Sequence, residues 1–174
     1  DGIRESLPLV FTVALGLAGG LIGCIDDSAK LRKKQNEGLT APQKFALQFV
    51  VSALYLLGMS LVCKMDTEIY FPFFDKSVNF GIFYYVVAML LLTGIMNSVN
   101  LTDGIDGLCS SVTLVVGLFF TAAGYMNSLA EPDGTLTLLG AILIGSCAGF
   151  LVYNFYPARV FMGDTGSLYL GGLV

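Results

Sequence analysis

Histidine and tryptophan are absent from this 174-residue chain, and charged residues make up only 13% of it. Without histidine, no imidazole base or imidazole metal ligand comes from these residues. So little charge excludes an ordinary soluble domain, in which about 25% of residues are charged. The four cysteines, Cys24, Cys63, Cys109 and Cys147, never fall at CxxC spacing. That removes the sequence signature of a zinc site or redox pair. Each lies in or at the end of an apolar stretch and reads as a small packing residue. Repeats and low-complexity tracts are also missing.

What is present is apolar. Hydrophobic residues are 55% of the chain, and the mean hydropathy is +0.77. Five long runs stand out: Pro8–Ile25, Phe45–Cys63, Phe80–Ser98, Leu108–Met126 and Leu136–Phe155, with a sixth beginning near Leu168. Each complete run has 18 to 20 residues and no charge. A bilayer core of about 30 Å needs about 20 helical residues at 1.5 Å rise. The expected fold is therefore all-α: a polytopic transmembrane helix bundle with five complete helices and the start of a sixth. Residues 1–174 form a single membrane domain, read as an internal piece of a longer chain that opens Asp1-Gly2-Ile3 and closes at Val174. Gly16/Gly20, Gly19/Gly23 and Gly145/Gly149 stand at GxxxG spacing, which lets helix backbones approach closely in lipid.

Run parity puts loops 27–44, 99–107 and 156–167 on one face. That face carries Lys30, Arg32, Lys33, Lys34, Lys44 and Arg159, against Arg4, Lys64 and Lys76 on the other. The excess marks it as cytoplasmic. On the opposite side, Lys64–Asn79 alternates β-branched and aromatic residues and predicts a short hairpin outside the membrane.

The same basic face collects the acidic motifs. Run one ends in Asp26-Asp27, the second inner loop carries Asn97, Asn100, Asp103 and Asp106, and the third carries Asn154, Arg159 and Asp164. Taken singly, each motif has a plain structural reading. Asp26-Asp27 ends a helix at the interface, Asp103 and Asp106 cap run four, Asp164 caps run six, and the basic loop only sets topology. Five aspartates from three loops on one face call for more, because an unpaired carboxylate near hydrocarbon is costly. Clustered carboxylates beside basic residues predict Mg²⁺, an ion that takes oxygen ligands and substrate phosphates. The glycines of DGIDG and GDTGS let backbone amides approach a ligand.

Three segments, IDDSAKLRKKQNEGLTAPQK, NSVNLTDGIDGL and NFYPARVFMGDTGSLYLGG, resemble the polyprenyl-phosphate N-acetylhexosamine-1-phosphate transferases. Within that superfamily they are most similar to the phospho-N-acetylmuramoyl-pentapeptide transferases. The resemblance runs from Gly23 to Gly172. It implies Mg²⁺-dependent transfer of phospho-N-acetylmuramoyl-pentapeptide from its UDP carrier to undecaprenyl phosphate, with release of UMP. It also implies a ten-helix bundle in the bacterial cytoplasmic membrane, a cytoplasmic cleft and a homodimer.

Position by position, Asp26 and Asp27 match paired aspartates, one of which deprotonates or orients the lipid phosphate. Asp164 matches the aspartate associated with Mg²⁺. Asn100, Asp103 and Asn154 match polar residues of the cleft. Gly104, Ile105, Asp106 and Phe161 match the nucleoside pocket, with Phe161 stacking on uracil, and Lys30 and Lys34 fall near the phosphates. Two features of that family, a histidine motif and an earlier substrate-binding lysine, have no counterpart in these residues, so this stretch alone is expected to be inactive. Ile105 stands where many relatives have leucine. Two alternatives remain: a sister enzyme using UDP-N-acetylglucosamine, and a divalent-cation transporter. The second would need carboxylates along a path to both faces, and all of these sit near one.

Overall fold

The computed structural model describes residues 2–33, 37–128 and 134–174. Six helices and one hairpin follow in the order α1 (Gly2–Lys33), α2 (Ala41–Leu61), β1 (Glu68–Phe71), β2 (Lys76–Asn79), α3 (Ile82–Thr102), α4 (Leu108–Ser128), α5 (Thr135–Asn154) and α6 (Gly163–Leu173). Helices α1 to α5 are long and apolar enough to cross a membrane. Their outward side chains are apolar, for example Leu21 at 66% exposure and Val152 at 75%. Such surfaces suit lipid as solvent, since there they carry no hydrophobic penalty.

Helices α1, α2 and α3 extend beyond the apolar runs in the sequence: α1 starts at Gly2 and α2 at Ala41, and the ends of α1 and α3 reach into the polar motifs. Helix α1 passes through Asp26-Asp27 and ends only at Lys33. Lys30, three and four residues on, pairs with both carboxylates, so the polar stretch continues the helix. Helix α3 likewise runs to Thr102 and carries Asn97 and Asn100 as helical residues. Asn97 pairs there with the fully buried Gln48 of α2, its Nδ2 donating to Gln48 Oε1 at 2.6 Å.

Strands β1 and β2 pair antiparallel with Ile69 opposite Val78, which is the hairpin expected between α2 and α3. It joins the C-terminus of α2 to the N-terminus of α3. The acidic motifs sit at the other ends of those helices.

Helix α6 is short but central. Ser167, Leu168 and Leu170–Leu173 are all buried. It packs along α1 and α3, while α4 and α5 pair with each other. Leu168 joins Leu15, Ile22 and Met96 in one core. Leu170 and Leu173 join Cys109, Leu139, Leu143 and Cys147 in another. The cysteines are free thiols, and Cys109 and Cys147 pack in that core.

The first glycine series makes the α1–α6 contact. A Cβ on Gly19 would lie 2.5 Å from the Leu168 carbonyl oxygen, and one on Gly23 would collide with the Asp164 carbonyl. Gly145 and Gly149 behave differently, with nothing within 4 Å of a Cβ at either position. Spacing alone does not tell which glycine face meets a helix.

Candidate functional site

The site forms where four chain segments meet. Helix α1 supplies Asp26, Asp27 and Lys30, α2 supplies Lys44, α3 supplies Asn100, and the first turns of α6 supply Asp164, Thr165 and Ser167. Lys30 Nζ lies 2.7 Å from Asp26 Oδ2, 2.6 Å from Asp164 Oδ2 and 3.5 Å from Asp27 Oδ1. Lys44 Nζ reaches Asp164 Oδ2 at 3.1 Å and donates to Asn100 Oδ1 at 3.0 Å. Asn100 Nδ2 donates to Asp164 Oδ1 at 2.7 Å and to Ser167 Oγ at 2.8 Å. Asp164 thus sits at the hub, its two oxygens contacted by three side chains from three helices.

Asp27 serves α6 directly. A helix start leaves backbone amides without intrahelical partners, and the N-cap residue of α6, Met162, supplies no side-chain cap. Asp27 Oδ2 instead accepts from Thr165 N at 3.0 Å and Thr165 Oγ1 at 2.7 Å. A carboxylate at a helix N-terminus also gains from the helix dipole. Gly163 makes the entry possible. Its φ is +64°, and a Cβ there would lie 3.1 Å from Asp27 Oδ2.

Asp103, just past the end of α3, borders the same cluster. Burial pushes its pKa up, a hydrogen bond from the Gly163 amide pulls it down, and the charges of Asp164 and Asp27 push it up again, to about 6 from 3.8. A carboxyl whose pKa is raised by folding binds protons more tightly folded than unfolded. Its contribution therefore becomes destabilising as pH rises through 3.8 to about 6. After discounting for solvent screening, the effect is about 1 kcal/mol. In EDTA, Asp103→Asn is expected to melt higher than the unsubstituted protein at pH 7 and equally near pH 3.5. Equal melting at both pH values would contradict this environment for Asp103.

Asp106 and Asn154 form a second network. Asp106 Oδ2 accepts from Ala158 N at 2.9 Å. Buried Asn154 accepts from Gly107 N at 3.2 Å and Ser110 Oγ at 3.4 Å, and donates to the Val160 carbonyl at 2.8 Å. These bonds lash loop 103–107 to loop 155–162. Gly104, Ile105 and Phe161 ride on those loops, and Ile105 and Phe161 are exposed, 64% and 51%. Lys34 lies outside the described residues.

The sequence reading assigned no site role to Lys44, Thr165 or Ser167. By sequence Lys44 is only one of six basic residues on that face. Its signal is its place: a lone cation immediately before the uncharged run Phe45–Cys63, which the structure puts in the first turn of α2. Thr165 and Ser167 reach the cluster only because α6 packs against α1 and α3, which no local pattern announces.

The donors fit a hard cation. Asp26, Asp27 and Asp164 each offer a carboxylate oxygen, all within 4.8 Å of one another, and the set is all oxygen, the chemistry Mg²⁺ takes. Three carboxylates face two ammonium groups, so negative charge is in excess, and an ammonium already sits among them as a cation.

The sequence profile of glycosyl transferase family 4 matches residues 9–174. The chain belongs to this family. Within it, the chain is 45% identical over 158 residues to a phospho-N-acetylmuramoyl-pentapeptide-transferase of Clostridium novyi, covering 91% of this chain and 47% of that protein. It is 46% identical to the Heliobacterium modesticaldum protein of the same name, over 92% of this chain and 49% of the relative. For the Acetivibrio thermocellus protein the identity is 43%, over 98% and 50%. The chain spans about half the length of the curated relatives it matches. Its acidic cluster lies at one end of helices long and apolar enough to cross a membrane.

Proposed function

We propose that the whole protein transfers phospho-N-acetylmuramoyl-pentapeptide from UDP-N-acetylmuramoyl-pentapeptide to undecaprenyl phosphate and releases UMP, in peptidoglycan synthesis. The observation that carries this reading is the Asp26–Asp27–Lys30–Asp164 cluster in a chain so similar to relatives bearing that name. Phosphoryl transfer asks little covalent chemistry of a protein; it asks for positioning and charge compensation. Lys30 and Lys44 supply positive charge for the phosphates, and Asn100 orients Asp164. Asp27 keeps one oxygen for the fixed α6 amide and turns the other, Oδ1, toward Lys30.

Asp26, Asp27 and Asp164 would hold Mg²⁺, which supplies electrostatic stabilisation of the diphosphate and of departing UMP. Loops 103–107 and 155–162, with Asp106 and Phe161, would receive the nucleoside. The lipid phosphate attacks the sugar-side phosphorus in line, so one P–O bond forms as the bond to UMP breaks. The excess of Lys and Arg around the cluster supports a cytoplasmic orientation, and the protein acts as a homodimer.

The test uses the full-length protein with undecaprenyl phosphate and Mg²⁺. UMP release is expected with UDP-N-acetylmuramoyl-pentapeptide and not with UDP-N-acetylglucosamine. Release with the second donor alone would move the protein to the sister reaction. No release with either would refute the transferase activity.

A further inference from the structure

We propose that the loop segment Gly38–Leu39 is a backbone clamp that positions Asp26 for phosphoryl transfer, an inference that rests on the transfer reading above. Asp26 is the most enclosed carboxylate of the cluster, its side chain 4% exposed against 32% for Asp27 and 19% for Asp164. Both its oxygens are taken by the protein's own donors. Leu39 N donates to Oδ1 at 2.7 Å, and Lys30 Nζ faces Oδ2 at 2.7 Å.

The amide can come so close because the residue before it has no side chain. A Cβ on Gly38 would lie 2.6 Å from Asp26 Oδ1, 2.7 Å from its Cγ and 2.7 Å from its backbone oxygen. Contacts that short force a shift, and the shift carries the Leu39 amide away from Oδ1. The loop cannot yield freely on its other side. Thr40 N-caps α2, with its amide donating to Gln43 Oε1 at 3.1 Å, and Lys44 one turn later is tied to Asp164 and Asn100.

The two aspartates are therefore fixed by different elements, Asp26 by the α1–α2 loop and Asp27 by the start of α6. The clamp also forms a wall of a cleft of about 440 Å³ that Asp26, Lys30 and Lys44 line. A carboxylate held at both oxygens keeps one orientation within the cluster. Gly38 and Leu39 are positioning residues: they act through Asp26 and touch no reacting atom.

The test compares Gly38→Ala with the unsubstituted full-length protein. Since small misplacements of a catalytic group cost up to about 100-fold, kcat is expected to fall about 10- to 100-fold. Melting should fall somewhat, since the added methyl forces the loop to shift, while KM for both substrates should stay within about twofold, as expected of a group felt mainly in the transition state. On an Asp26→Asn background Gly38→Ala should add little, because residues acting through one contact are not additive. An unchanged kcat, or an equal loss on both backgrounds, would overturn the clamp.

A second readout needs neither activity nor a Gly38 variant. Hydrogen exchange at the peptide holding Leu39 should accelerate about 100-fold in Asp26→Ala; equal exchange would refute the bond. If the unsubstituted protein released no UMP, the transfer reading would fall, and exchange at Leu39 would still decide whether the clamp exists.

Discussion

Asp164→Asn in the full-length protein is expected to lower UMP release about 1,000-fold, the scale of losing a preorganised electrostatic partner. The substitution keeps the shape of the side chain and removes its charge. At present Asp164 Oδ2 lies between two ammonium groups, Lys30 at 2.6 Å and Lys44 at 3.1 Å, while Oδ1 accepts from Asn100 at 2.7 Å. With an amide in its place, two carboxylates face two ammoniums and the excess negative charge that draws a divalent cation is gone. The lysines also lose the anchor that holds them near one point. Asn is nearly isosteric, so the variant should fold, but it should melt lower because Lys30 and Lys44 lose their shared carboxylate, and the loss of activity should fall on kcat more than on KM. Activity within tenfold of the unsubstituted protein would mean that the hub of the cluster is not where the reaction occurs.

The largest effect on stability is expected from Gly23→Leu. Where a Cβ would go, the backbone carbonyl of Asp164 already stands, with Thr165 N only 2.5 Å away. Backbone cannot rotate aside as a flexible side chain can, so α6 must move off α1. Overpacking of this kind costs about 3 kcal/mol or more when the obstacle is rigid. It should also break both bonds from Thr165 to Asp27, so residual folded protein should be inactive. The comparison is Gly145→Leu, on a helix face open for 4 Å. There the same change should alter stability by less than about 0.5 kcal/mol. Thermal melting of the two detergent-solubilised variants separates them, and similar melting temperatures would mean that the α1–α6 contact is not as close as described.

These two positions mark what was legible beforehand. Asp164 stood out as a candidate because a carboxylate at the mouth of an apolar run is anomalous on energetic grounds alone. The same argument singled out Asp26 and Asp27, which the fold brings together with Asp164. Gly23 was readable only as half of a spacing shared with Gly149, and that spacing gave no means of telling the packed pair from the open one. Lys44 had the residue type of a phosphate partner but resembled a topology charge. The expected ends of runs one and three fell short because hydropathy drops at the first aspartate or asparagine. A helix continues as long as its polar side chains find partners one turn away, as Asp26 and Asp27 do in Lys30.

Length, hydropathy and the placing of charge are local quantities, and they alone determined that this chain is a bundle of membrane-crossing helices with its acidic motifs on one face and a hairpin on the other. What tertiary structure decided is which of those motifs touch. Asp26 and Asp164 are 138 residues apart in sequence and share one lysine in space. They meet because glycines at 19 and 23 let a short buried helix lie directly against α1. Close approach of two backbones depends on the shapes of both surfaces at once, and a single sequence pattern describes only one of them.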